Sequence, residues 1–509
     1  MPAGCLGPAV GSLGLVSETV AERRARVRSG IPREPDLAQP VPKRLLTNWL
    51  FWIGIALLIV YTVLIVMLYQ QVVPDKEVPG GRLIGIGTEI IGTATMYAAV
   101  TAVPLSLIFF LADRFRAQRL WIWLLVFGWG ACVATFVSAN VNSWAASQLS
   151  VIGDGDPATQ ARAAIFVAPF VEESTKATVL FGIAILMRYR LVSRISGVAL
   201  AGLSGVGFAF VENIMYYGRV FRYASQTIGV NPLEAMQSLV VQRGLLTCFG
   251  HPLFTSMAGI GLAIAIRNKS KVVRIVAPLA GFCAAAFLHM AFNATATLVS
   301  GPTLLFMYFG VALPLVLAMI IFVIRQIFRE GRLIRERLTD YQRLGWLLDI
   351  EPMAVSRLRT RLRALWHALF LGLYEFIDTV RAQRTLTELA YLRDAIARGI
   401  IDDAGLRREK VLLAKMSQLR GSAVIKPEGR AAYPKNLFRR KREVEGYSAP
   451  SYPGPAGIGG YFPAPTGDSA APNGAPAPVP AGSVPGSVPL GQSATQYSEV
   501  DPNWKPPSQ

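Results

Sequence analysis

Charge is scarce in this chain. Asp, Glu, Lys and Arg together make up 16% of its 509 residues, against 52% hydrophobic residues, and the mean hydropathy is +0.40. That balance excludes an ordinary soluble globular protein and leaves a polytopic membrane protein. Cysteine is also sparse. Cys5, Cys132, Cys248 and Cys283 show no CxxC spacing and three of them sit in apolar runs, which excludes a disulfide framework or a zinc knuckle and marks them as small buried hydrophobes. No stretch reads as a cleavable signal peptide, because the first apolar run begins near Trp49 after a long polar leader, and that run is expected to serve as an anchor. A convincing internal repeat is lacking too, which weighs against the many carriers built from repeated halves.

What the chain does have is a series of long apolar segments. They fall near 49–69, 90–112, 120–139, 163–187, 196–217, 244–266, 275–299 and 303–324, each about 20 residues, the length that crosses the hydrocarbon core. The expected fold is an all-α bundle of about eight transmembrane helices. Basic residues collect after alternate spans: Arg114, Arg116 and Arg119; Arg188, Arg190 and Arg194; Arg267, Lys269, Lys271 and Arg274. The intervening loops are poorer in Lys and Arg, so both termini are expected in the cytoplasm and the protein in the cell membrane. The net charge of +19 then points to membrane orientation and anionic lipid at the cytoplasmic face, and no nucleic acid is expected.

Four regions follow. Residues 1–47 read as a disordered basic leader and 48–325 as the transmembrane domain. Residues 326–421 read as a cytoplasmic amphipathic helical domain, with Leu358, Leu362, Leu365, Leu369 and Leu373 as one apolar stripe. Arg357, Arg359, Arg361 and Arg363 are candidates for contact with acidic lipid. Residues 422–509, rich in Pro, Gly and Ala, read as a disordered tail.

The segment Pro169-Phe-Val-Glu-Glu-Ser-Thr-Lys-Ala177 breaks the apolar pattern of its span. A charge near the bilayer centre costs roughly 2.5–3.5 kcal/mol even on lenient insertion scales, so Glu172, Glu173 and Lys176 must face protein or water and find partners. On a helix Lys176 is i,i+4 from Glu172 and i,i+3 from Glu173 and can neutralise either one. Other polar groups lie in neighbouring spans: Glu212 and Asn213, His251 with Thr255, and His289 with Asn293. At about 1.5 Å per residue, Glu173, Glu212, His251 and His289 all fall about 9–15 Å from the outer ends of their spans, so they can line one cavity open to that side. Two imidazoles and a carboxylate can hold Zn²⁺ with one position left for water, while a second carboxylate accepts the proton. The ligands expected under that reading are Glu212, His251 and His289, with Glu173 as base; Asn213 and Asn293 can hydrogen-bond an oxyanion or orient a ligand.

Glu172-Glu-Ser-Thr-Lys176 as EExxK, Phe208 to Asn213 as FxxxEN, His251, and His289-x-x-x-Asn293, in that order on successive spans, resemble the PrsW family of intramembrane proteases. The resemblance covers about residues 165–295. It implies an endopeptidase acting on a membrane-anchored protein, typically an anti-sigma factor cut on its extracytoplasmic side. Within the wider group of CAAX prenyl endopeptidases and bacteriocin-processing enzymes it implies either a metal-dependent mechanism or a metal-free one, in which Glu172 or Glu173 with a histidine activates water and His289 and Asn293 hold the oxyanion. Two other classes fit buried Glu, Lys and His: a proton-coupled transporter, and a scaffold whose polar residues only join helices.

Overall fold

The structure, a computed structural model, describes residues 19–31, 39–78, 81–116, 118–152, 161–191, 193–401 and 403–425. Among the described residues the regular structure is helical apart from a two-stranded antiparallel hairpin, β1 Lys76–Val78 and β2 Gly81–Leu83. Two short helices, α1 Val20–Ser29 and α2 Val41–Leu46, precede the membrane domain. The long helices are α3 Trp49–Val72, α4 Thr88–Ala112, α5 Leu120–Leu149, α6 Ala168–Leu186 and α7 Arg194–Ala224, followed after a short α8, Pro232–Leu239, by α9 Gly250–Ile266, α10 Lys271–Leu298 and α11 Gly301–Arg343. Among the described residues seven segments are long and apolar enough to cross a membrane: α3, α4, α5, α7, α10, α11 and a stretch from α8 through α9. The eighth expected span, α6, differs from them by its three ionisable residues.

Helix α7 is the axis of the bundle, buried along 83% of its most apolar window. Lipid tails are as apolar as leucine, so burial alone does not drive helices together in a bilayer; close backbone approach does. α7 achieves this with small residues. Gly197 of α7 and Gly259 of α9 face each other so closely that a Cβ on either would strike the other's carbonyl oxygen. One turn-pair further, Gly205 lies against the carbonyl of His251, with an added Cβ only 2.7 Å from that oxygen. The absence of a side chain at Gly205 thus sets how near His251 comes to α7.

Beyond the membrane domain α11 continues into a helical bundle with α12 Glu351–Ser356, α13 Leu358–Leu371, α14 Leu373–Ala397 and α15 Asp403–Leu419. Its core (Leu338, Leu386, Leu389, Leu412 and Met416 among others) also takes in Phe115 and Tyr189 from the loops after α4 and α6. The bundle therefore docks on the end of the membrane domain that carries the basic loops. Asp394 of α14 fixes that docking by pairing with Arg267 after α9 at 3.0 Å, as well as with Arg337 and Arg398.

Three expectations need correction. The leader contains an ordered helix: Thr19 and Glu22 close a reciprocal cap at the start of α1, Glu22 pairs with Arg407 of α15, and Ile31 enters the bundle core. The buried face of α13 is not the leucine stripe but Arg361, Ala364 and Ala368, while Leu362 and Leu373 are exposed, because alanines admit α14 at closer range than leucines would. Arg361 is consequently not on the surface. It donates to Thr387 Oγ1 at 2.8 Å, and burial lowers its pKa to about 10. The tail from residue 426 onward lies outside the described residues.

Candidate active site

The ionisable residues singled out from the sequence meet at one level of the membrane domain. Glu173 and His251 lie about 24 Å from Tyr189 and Arg267 at the basic end, and Glu212 and His289 about 27 Å from Arg194 and Lys271, at ~1.5 Å per residue along their helices. Four helices of different direction thus bring their polar residues to the same depth.

Helix α6 supplies the floor. Pro169 stands in its first turn, where a missing N–H costs nothing, and a π-helical turn, Ala163–Val167, leads into it. One turn on, Glu173 and Lys176 are completely buried and Glu172 nearly so. Lys176 Nζ donates to Glu173 Oε1 at 2.7 Å and lies 3.4 Å from Glu172 Oε2. It also lies 3.0 Å from His251 Nδ1 and 4.1 Å from the centre of the Phe208 ring, which adds a cation–π contact. Glu173 is fully engaged: its Oε1 also faces His289 Nδ1 at 3.0 Å, and its Oε2 accepts from Thr255 Oγ1 at 2.8 Å.

The two histidines share a pattern. Each sets one ring nitrogen against a carboxylate: His289 Nδ1 on Glu173, and His251 Nε2 on Glu212 Oε2 at 2.8 Å. A carboxylate only accepts, so these nitrogens carry the proton and the other nitrogen of each neutral ring presents a lone pair. Those lone pairs, on His251 Nδ1 and His289 Nε2, look toward Lys176 and Glu172; His289 Nε2 is 3.7 Å from Glu172 Oε2. The ring centres are 5.0 Å apart. Among the described residues, Glu172, His251 and His289 are the group whose ligand atoms all lie within 4.8 Å of one another. Two neutral imidazoles and a carboxylate, with each imidazole oriented by a second carboxylate, form a donor set suited to a divalent metal.

This geometry rearranges the roles assigned from the sequence. Glu212, expected as a ligand, sits behind His251 and is held by Arg243 at 2.6 Å; Glu172 stands in the converging group instead. Asn213 accepts from Arg243 Nε at 3.2 Å and so belongs to the support around Glu212. Asn293 is outside the cluster, its amide donating to the Ala164 carbonyl at 2.9 Å, where it ties α10 to the turn before α6. Two residues escaped sequence reasoning. Arg243 reads as an outer-loop charge, although its place eight residues before His251 in an otherwise apolar stretch is a signal. Asn142 of α5 donates to Glu172 Oε1 at 3.2 Å, and its Oδ1 is buried with no partner among the described residues, leaving one acceptor beside that carboxylate. Its signal is faint: Ser138, one turn earlier on the same face, meets Thr175 Oγ1 at 3.1 Å.

A carboxylate pair, two oriented imidazoles and a buried lysine inside a helical membrane bundle are groups able to perform acid–base or metal-assisted hydrolysis. Residues 118–321 match the model of the PrsW-protease family, described as PrsW family intramembrane metalloprotease, and this segment holds every residue of the cluster. Over residues 118–321 the chain thus matches a family of intramembrane peptide hydrolases described as using a metal. No curated protein and no solved structure gives a significant match to the chain.

Proposed function

We propose that this protein cleaves a membrane-anchored protein, such as an anti-sigma factor, within or near the outer half of the bilayer, with both of its termini in the cytoplasm. The orientation is supported by the basic loops and the helical bundle at one end of the membrane domain, with the site about 24–27 Å away toward the other. The observation that carries the chemistry is the convergence of Glu172, His251 and His289. These three would hold Zn²⁺ as the cofactor, which when bound supplies Lewis-acid polarisation and a water of lowered pKa. The other residues keep the site in order. Glu173 fixes the His289 tautomer through Nδ1 and Glu212 does the same for His251 through Nε2. Lys176 balances the negative charge, and Thr255 holds the second oxygen of Glu173. Asn142 is positioned to orient the substrate amide or a water beside Glu172.

One observation favours a second reading. The Lys176 ammonium contacts Glu172 Oε2 and His251 Nδ1, the same atoms a metal would use. In a metal-free enzyme of this geometry Glu172 Oε2 takes the proton of a water that bridges it and His289 Nε2, and Lys176 holds that carboxylate in place.

The function is tested with a tagged single-span substrate co-reconstituted in liposomes. Cleavage is expected, with fragment masses placing the cut in the half of the span away from the basic loops, and Glu172→Gln is expected to lower the rate at least about 100-fold. Unchanged cleavage by that variant, or a cut at the basic end, would overturn the reading.

A further inference from the structure

A second polar feature lies at the opposite end of the membrane domain. Beside α6, α9 and α10 there is a cavity of about 450 Å³ whose lining includes Arg28, Arg188 and Arg274 together with Phe181, Ile185 and Leu262. Arg188 follows the last turn of α6 and Arg274 lies in the first turn of α10. Neither has a carboxylate partner among the described residues. They lie close enough to oppose one another: burial first, and the Arg274 charge second, hold the Arg188 guanidinium below the usual arginine range. Below these cations the wall is apolar and open to the bilayer, with Phe181 41% and Ile185 78% exposed on the outer face of α6.

Paired guanidiniums without carboxylate partners among the described residues, above a lipid-facing apolar wall, match one kind of ligand: an anion joined to a hydrocarbon chain. We propose that Arg188 and Arg274 bind the phosphate of an anionic phospholipid, with an acyl chain lying along Phe181 and Ile185. Arginine suits this role because its planar fork meets phosphate oxygens in pairs. The placement also gives the lipid a consequence. Arg188 belongs to the end of the helix that carries Glu172, Glu173 and Lys176, and Arg274 to the helix that carries His289. One phosphate held by both joins α6 to α10 at the basic end and steadies the spacing of the groups they present at the other.

Native mass spectrometry of the full-length protein in detergent tests this directly. Delipidated protein is offered phosphatidylglycerol or phosphatidylcholine of the same acyl length. The expected result is one phosphatidylglycerol retained per chain in preference to phosphatidylcholine, and about a tenfold or greater loss of that preference in the Arg188→Gln/Arg274→Gln double variant, the scale on which basic residues act at anionic membrane surfaces. Lys410→Gln, an exposed position on α15, is expected to leave it unchanged. Equal retention of the two lipids by the wild type, which requires no variant to fold, would overturn the proposal. So would inorganic phosphate displacing phosphatidylglycerol completely, since the site would then be one for a soluble anion.

Discussion

Glu173 has no exposed surface and accepts from an ammonium, a hydroxyl and an imidazole. Removing one member of such a buried network leaves the others unpaired, at a cost of about 3–5 kcal/mol, whereas an isosteric change alters charge with little change of shape. Glu173→Ala is therefore expected to lower the thermal midpoint of the purified protein markedly, and Glu173→Gln to leave it within a few degrees while reducing cleavage about 10- to 100-fold, the usual effect of losing a carboxylate behind a ligand histidine. Equal stability of the two variants would contradict the network. Lys176 gives a sharper test. Because its ammonium contacts the atoms of Glu172 and His251 proposed to hold the metal, Lys176→Met is expected to retain more metal than the wild type at a given chelator concentration. These residues were legible in the sequence because ionisable groups in an apolar span demand explanation. Their division of labour was not, since which carboxylate faces inward depends on rotation about each helix axis, and Glu212 and Glu172 differ only in that.

At the scale of the element, the site depends on how α7 meets α9. The backbone contact at Gly205 allows no side chain without movement of the strand of helix bearing His251. Gly205→Val is expected to cost about 1–3 kcal/mol through overpacking and to lower both metal content and cleavage, while Gly182→Val, where an added Cβ meets nothing within 4 Å, leaves both unchanged. The seven spans were readable from hydropathy, and α6 was readable as a helix despite its charges. Two features were not. Helix α1 lacks an apolar stripe and owes its place to a cap, an ion pair with Arg407 and the burial of Ile31. In α13 a leucine period suggested the wrong face, because the alanines that allow close packing on α14 carry little hydropathy signal.

Across the whole molecule, a helical bundle is attached to the membrane domain through the loops after α4, α6 and α9. Asp394, almost fully buried, pairs with Arg267 and Arg398 through Oδ2 and with Arg337 through Oδ1. Asp394→Ala leaves three guanidiniums crowded without their common counter-ion, and is expected to loosen the bundle by about 3–5 kcal/mol. Faster hydrogen exchange in α14 and α15, with exchange in α7 unchanged, would report it; uniform exchange across both regions would not fit. The change of periodicity after Arg325, which falls within the continuous helix α11, was visible in the sequence. The docking was not, because it rests on single residues such as Phe115, Tyr189 and Arg267 that no local pattern marks.

The central claim is that Glu172, His251 and His289 form a metal centre in an intramembrane protease. Elemental mass spectrometry of the detergent-purified protein, with a chelator control, addresses it most directly. About one zinc per chain is expected in the wild type, with loss in both His251→Ala and His289→Ala and retention in Asn293→Ala, whose amide lies outside the group. A preparation that cleaves substrate yet holds no metal, or that keeps its zinc in both histidine variants, would contradict it.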